Sequence, residues 1–377
     1  MSGFGLRAFK KLKEDTRKED KRQYIPHIVC GDSDFAVLTY LKLMQKHGED
    51  KVKLVCKDPI DKQDLINNWK CSLHYLRDEA VANKLIEINP RLEVISSQSN
   101  VVFYKDGKFH EMDGRAKPYE FMEDEDYFQS PYYFMKKEAL FSTEDWNNLD
   151  EILRKAQINK YISSIDKIVN QDLVEKTNFR LSTGEHENLE CEYLYWCESP
   201  KSFYKLFVDK NKLSDATAGY CSSLEEKVGL TVHFEVEKEI YDSHGTVLLP
   251  QSATHEWGYF ILDFDKYDPE HEKQVFKSMM FIDLDEVNEE ELAKKIKLMK
   301  RVIGRVFPDF EKVKYTEHIH YNESELIKNF KDDLYHQDNE EQEYLKFVGI
   351  GAPLKEDDSE KFQYESRAII SYHNLEI

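Results

Sequence analysis

Glycine, aspartate and serine in a short stretch, Gly31-Asp32-Ser33-Asp34-Phe35-Ala36, raise a question of phosphate chemistry. The stretch follows an apolar run, "HIVC" (27–30), and precedes Phe35, Leu38, Leu41, Leu43 and Met44 at near-helical spacing. A strand that turns through glycine into a helix presents free N–H groups and a positive helix end to an anion. In a working loop of this kind a first glycine makes the turn. A second lets backbone approach a diphosphate, and a third lets helix and strand pack closely. Gly31 supplies the first, Ala36 stands in for the third, and Ser33 occupies the second. Asp32 and Asp34 oppose the chemistry, because a carboxylate satisfies the helix end internally and repels a diphosphate. One of these aspartates is expected as an ordinary N-cap.

A second strand, "KVKLVC" (51–56), follows Gly48, a C-cap by type. A strand–turn–helix–strand unit of this length predicts parallel pairing. Residues 60–89 and 117–160 read as mostly helical, and "NVVFYKDGKFHEM" (100–112) as a hairpin around Lys105-Asp106-Gly107. Strands are expected around a Gly184 turn in 161–197, then a helix from Pro200. Alternation over 229–250 and 257–285 predicts antiparallel strands. An amphipathic helix follows Asn288, with Leu292, Ile296, Met299, Ile303 and Val306 on its apolar side. The chain closes with "YLKFVGIGAP" (344–353) as a strand and "SRAIISYHNL" (366–375) as a helix.

In their order these pieces resemble the FAD-dependent amine oxidase and protoporphyrinogen oxidase family, relatives of the phytoene desaturases. The segments "IPHIVCGDSDFAVLTYLKL", "NVVFYKDGKFHEMDGRAKP", "FRLSTGEHENLECEYLYWCESPKSFYKLF", "GLTVHFEVEKEI…GTVLLP" with "NEEELAKKIKLMKRVIGRVFPDF", and "YLKFVGIGAP…SRAIISYHNL" match in sequence order. The resemblance implies an α/β fold: an FAD/NAD(P)-binding Rossmann-like domain with an inserted mixed-sheet substrate domain. On that pattern residues 1–23 form a basic arm. Residues 24–99, 161–225 and 311–377 form a discontinuous Rossmann-like domain, and 100–160 and 226–310 a substrate-type domain. The chemistry implied is hydride removal from a C–N or C–C bond at a flavin.

Residue by residue, the implied FAD contacts are Gly31, Ser33, Ala36, Asp58 and Gly349, each vestigial or weak. The family's ribose-binding acid aligns with Cys56, or with Lys57, and Asp58 lies two residues beyond. No glycine occurs between Gly48 and Gly107, where the family has a further Gly-Gly run. Its Gly-Asp reads Gly349-Ile350, and its final Ser-Gly reads Ser371-Tyr372. Only 14 glycines are present, about half the usual ~7%, so close backbone approaches are few. Two readings result. The chain is a non-catalytic binding or scaffold relative that has lost FAD, or an active FAD-dependent oxidoreductase of a small hydrophobic substrate. No catalytic residue is assigned.

Other constellations carry less. His318 and His320 share a strand face but lack a third spaced metal ligand, so no metal is expected. His255 and Glu256 beside Trp257 read as a loop. The acid-aromatic run 118–135 reads as helix and loop with a partner surface as its alternative, and Arg115 as a local ion pair. The net charge of −20 argues against nucleic acid. Residues 1–23 carry eight Lys/Arg against four Asp/Glu, a basic arm suited to an acidic partner. Six scattered cysteines without a CxxC pair, no apolar run near 18 residues and no signal-peptide pattern predict a cytoplasmic protein with reduced thiols.

Overall fold

The computed structural model describes residues 21–62, 65, 75–76, 87, 95–97, 100–111, 132–134, 141–168, 177–183, 187–243, 245–249, 260–265, 267–337, 339–355 and 366–375. Most of 60–89, Arg115, Gly184, His255, Glu256, Trp257 and nearly all of 118–135 therefore lie outside the described residues.

Five short strands form a parallel sheet in the order Leu345–Phe347, Tyr193–Trp196, His27–Cys30, Val52–Cys56, Gln157–Asn159. Their apolar runs are buried on both faces, as parallel strands require. Val29, Leu54, Cys56 and Tyr195 point to one core, with the helices Asp34–His47 and Thr143–Ala156. Ile28, Cys30, Val55, Leu194 and Trp196 point to the other. That second core is closed by the strands Ile162–Lys167, Phe179–Thr183 and Glu187–Cys191 and by the helices Pro200–Leu206 and Asp215–Ser223.

A seven-stranded sheet stands beside this assembly, in the order Tyr315–Lys328, Glu225–Val236, Gln274–Ile282, Phe260–Phe264, Gly245–Leu249, Asn100–Lys105, Lys108–Glu111. It is mixed, because Gly245–Leu249 runs parallel to Asn100–Lys105. Its apolar face packs on the helix Glu289–Val306 through Leu298, Met299, Val302 and Ile303. Asn288 caps that helix, accepting from the Glu291 N–H at 3.0 Å. The 100–112 hairpin turns through Asp106 and Gly107, both at positive φ (51° and 78°), the geometry that favours Asp-Gly.

Pairing departs from the sequence reading in several places. Tyr75–Leu76 and Tyr132–Phe134, inside stretches read as mostly helical, are strands that pair antiparallel, and Lys21–Tyr24 at the end of the basic arm pairs with the strand Glu187–Cys191. Residues 157–159 are a strand, not helix, and extend the parallel sheet beside Val52–Cys56. Tyr315–Lys328 pairs along Glu225–Val236 and so joins the seven-stranded sheet, not the parallel one. A three-residue strand carries no readable period, and an edge strand declares its sheet only through its partner.

Candidate functional site

Three parallel strands end side by side, and their exits meet around Cys197. Cys197 N–H donates to Cys30 O at 2.8 Å, and Val348 N–H donates to Trp196 O at 3.0 Å. Gly31 leaves its strand at φ 135° and Gly349 at φ 138°, conformations that side chains other than glycine's rarely adopt. A Cβ on Gly31 would lie 3.2 Å from Cys197 Cβ and 3.5 Å from Ala36 Cβ. One on Gly349 would lie 3.4 Å from Cys197 O. Cys197 is thus wedged between the two glycines. Its role was hidden in the sequence, where Cys197 is one of six scattered cysteines.

Ser33, not Asp32 or Asp34, is the N-cap of the helix Asp34–His47. Its Oγ accepts from the Ala36 N–H at 3.3 Å, and its carbonyl accepts from the Ala36 and Val37 N–H groups. Asp34 begins the helix and is 1% exposed. A buried carboxylate therefore occupies the first turn of the helix whose positive end would face a diphosphate. Ala36, fully buried, keeps the close approach of helix to strand that Gly31 begins.

At the next strand end, Cys56 holds the position aligned with the ribose carboxylate. Burial, with Asp32 and Asp58 nearby, pushes its thiol up to about 12, so it stays neutral. It donates to Gln157 Oε1 and Asn159 Oδ1 at 3.4 and 3.3 Å. Asp58 lies beyond the strand and is exposed. Burial likewise raises the Cys30, Cys191 and Cys197 thiols, so none is an activated nucleophile.

The closing segment completes the picture. The Gly349 N–H donates to Ser371 Oγ at 3.1 Å, which uses the donor internally. Ile350 packs against both cores of the parallel sheet. The Tyr372 ring lies 6.1 Å from the Phe35 ring, on the first helix. Lys42 on that helix donates to Tyr372 O and Leu375 O at 3.3 and 2.9 Å, fastening the last helix to the first.

Gly31, Ser33, Ala36 and Gly349 are therefore brought together around one turn, and Asp58 stands apart past Cys56. The helix end is internally capped with an acid in its first turn, the ribose position is a neutral thiol, and the Gly349 donor is spent. His318 is exposed and His320 half-buried, the latter stacked on His233 at 4.9 Å. No group of three metal-ligating side chains occurs among the described residues.

Solved structures give the wider comparison. Cyclohexylamine oxidase from Brevibacterium oxydans aligns over 93% of this chain and 97% of its own, with TM-score 0.58 and 9% identity. An oxidoreductase from Methanosarcina mazei aligns over 92% and 99%, with TM-score 0.54 and 10% identity. A reduced UDP-galactopyranose mutase aligns over 93% and 91%, with TM-score 0.55 and 9% identity. No family model and no curated protein matches the sequence. At such identity the likeness is one of fold, and the fold is α/β: an FAD/NAD(P)-binding-type Rossmann-like sheet joined to a mixed sheet, as in these oxidoreductases.

Proposed function

We propose that this chain is a flavin amine-oxidoreductase-like protein that has given up FAD and serves as a binding or scaffold protein. The observation that carries the reading is the buried Asp34 carboxylate in the first turn of the helix Asp34–His47. A diphosphate placed there meets a carboxyl group already occupying the first turn, instead of an open positive helix end. Cys56, the spent Gly349 N–H and Ile350 support the same reading. Its partner would be a protein, met through the acidic surface or the basic arm, and the chain would work in the cytoplasm. No helix among the described residues is long and apolar enough to cross a membrane.

The second reading, an active FAD-dependent oxidoreductase of a small hydrophobic substrate, draws on the retained Gly31 turn and the buried Ala36. The visible spectrum and a thermal titration separate the two. The purified full chain is expected to lack the oxidised-flavin band and to gain no melting temperature with FAD. Binding at a hundred times Kd would add about 2.7 kcal/mol, which a melt resolves. A stoichiometric flavin band sinks the non-catalytic reading.

A further inference from the structure

Next to Cys56 a cavity of about 560 Å³ opens between the loop after Val52–Cys56 and the helix Thr143–Ala156. Its volume lies within the roughly 300–1,000 Å³ of small-molecule sites. Exposed Pro59 forms a small apolar side, beside Ile60, which is 5% exposed and packs into the core. Asp61, Lys62, Asp150, Arg154, Gln157 and Asn159 supply the polar side.

The wall is fixed before any ligand arrives. Gln157 accepts from the Ile60 N–H at 2.7 Å and donates to Ile60 O at 2.5 Å, so its amide is fully engaged with the loop. The Lys62 N–H donates to Asp150 Oδ1 at 2.9 Å, while the Lys62 ammonium lies 4.5 Å over the Trp146 ring. Three groups on exposed residues accept or donate no hydrogen bond among the described residues: the Arg154 guanidinium, whose charge also acts on Glu151, the Asn159 amide N–H groups and Asp150 Oδ2. They offer a forked cationic donor, a neutral donor and an anionic acceptor around one cavity with an apolar side.

We infer that this cavity binds a small zwitterion of the α-amino-acid kind with an apolar side chain. Arg154 and Asn159 hold its carboxylate, Asp150 takes its ammonium, and the exposed Pro59 ring receives its side chain. A guanidinium matches a carboxylate with two parallel hydrogen bonds. Equal numbers of acidic and basic side chains on the lining favour a ligand of zero net charge over an anion. The site needs neither the Gly31 turn nor a flavin, although Gln157 and Asn159 of its lining touch Cys56 at the ribose position.

The test is calorimetric titration of the full chain with L-leucine, leucinamide, 4-methylpentanoate, inorganic phosphate and AMP, on the wild type, Arg154→Ala and Asp150→Asn. L-leucine is expected to bind saturably. Leucinamide, which lacks the carboxylate, and 4-methylpentanoate, which lacks the ammonium, are each expected to bind about tenfold or more weakly. Arg154→Ala and Asp150→Asn should each weaken L-leucine by a similar factor. The analogue series on the wild type keeps the test decisive if a variant fails to fold. No saturable binding of L-leucine overturns the proposal. So does unchanged affinity in Arg154→Ala, or tighter Arg154-dependent binding of AMP or phosphate. The titration is read on chain whose visible spectrum shows no flavin, so a failed titration and a flavin band are separate results.

Discussion

Gly31, Cys197 and Gly349 form one contact, and each residue's type follows from the other two. Gly31 sits at φ 135° with Cys197 Cβ 3.2 Å from where its own Cβ would be, a tight contact. Gly31→Ala adds both strain and crowding, so it is expected to cost about 2–3 kcal/mol, read as a lower urea midpoint. A second residue-scale expectation concerns His27. Its ring stacks on His47 at 4.1 Å and on Tyr193 at 4.9 Å. Burial, reinforced by His47, Lys51 and Lys46, lowers its pKa from 6.5 to about 4. The folded state thus resists a proton that the unfolded chain accepts. Its stabilising share is complete above pH 6.5 and is lost as pH falls from there toward about 4. The loss should be of order 2 kcal/mol. Melts at pH 7 and pH 5 should show a shallower pH dependence for His27→Gln than for wild type; equal slopes refute the assignment.

At the scale of elements, the last helix is fixed by a buried ion pair. Arg367 donates to Asp332 Oδ1 and Oδ2 at 2.9 and 2.6 Å and to Ala352 O at 3.0 Å. Its guanidinium lies 3.6 Å from the Phe330 ring centroid. Asp332 also accepts from the Leu354 N–H at 3.1 Å, so one pair holds the Gly349–Leu354 turn against the helix Ser366–His373. Arg367→Leu leaves a buried carboxylate and should cost about 3–5 kcal/mol. Adding Asp332→Asn, which keeps the acceptor but removes the charge, should restore part of it in the same urea titration. This lock was not legible in the sequence, since Arg367 and Asp332 are far apart along the chain and of common type. What was legible was local: the Gly31 turn, the Gly48 cap, the Asp106-Gly107 hairpin and the helix after Asn288 follow from short-range rules. The capping residue was misread because Asp32, Ser33 and Asp34 are all good caps and only backbone geometry chooses among them. The strand Gln157–Asn159 and Cys197's place between two glycines depend on long-range packing, which no periodicity encodes.

At the scale of the whole molecule, charge sets the expectation. The chain carries 73 acidic and 53 basic residues. Exposed pairs such as Lys155–Glu151 and Lys294–Glu290 are present, but each contributes only about 0–1 kcal/mol and weakens with salt. The remaining excess of 20 negative charges repels itself over the surface. Two effects of salt therefore compete. Screening shortens the Debye length from about 30 Å at 0.01 M to about 8 Å at 0.15 M. Paired charges sit within about 4 Å and are screened little, whereas the unpaired excess repels at tens of ångströms and is screened most. Repulsion should lose more than attraction does, so the melting temperature is expected to rise between these two ionic strengths. The same rise should appear in sodium chloride and potassium chloride alike, since screening depends on ionic strength rather than on a bound ion. A flat or falling melting temperature would mean that the local pairs outweigh the net charge.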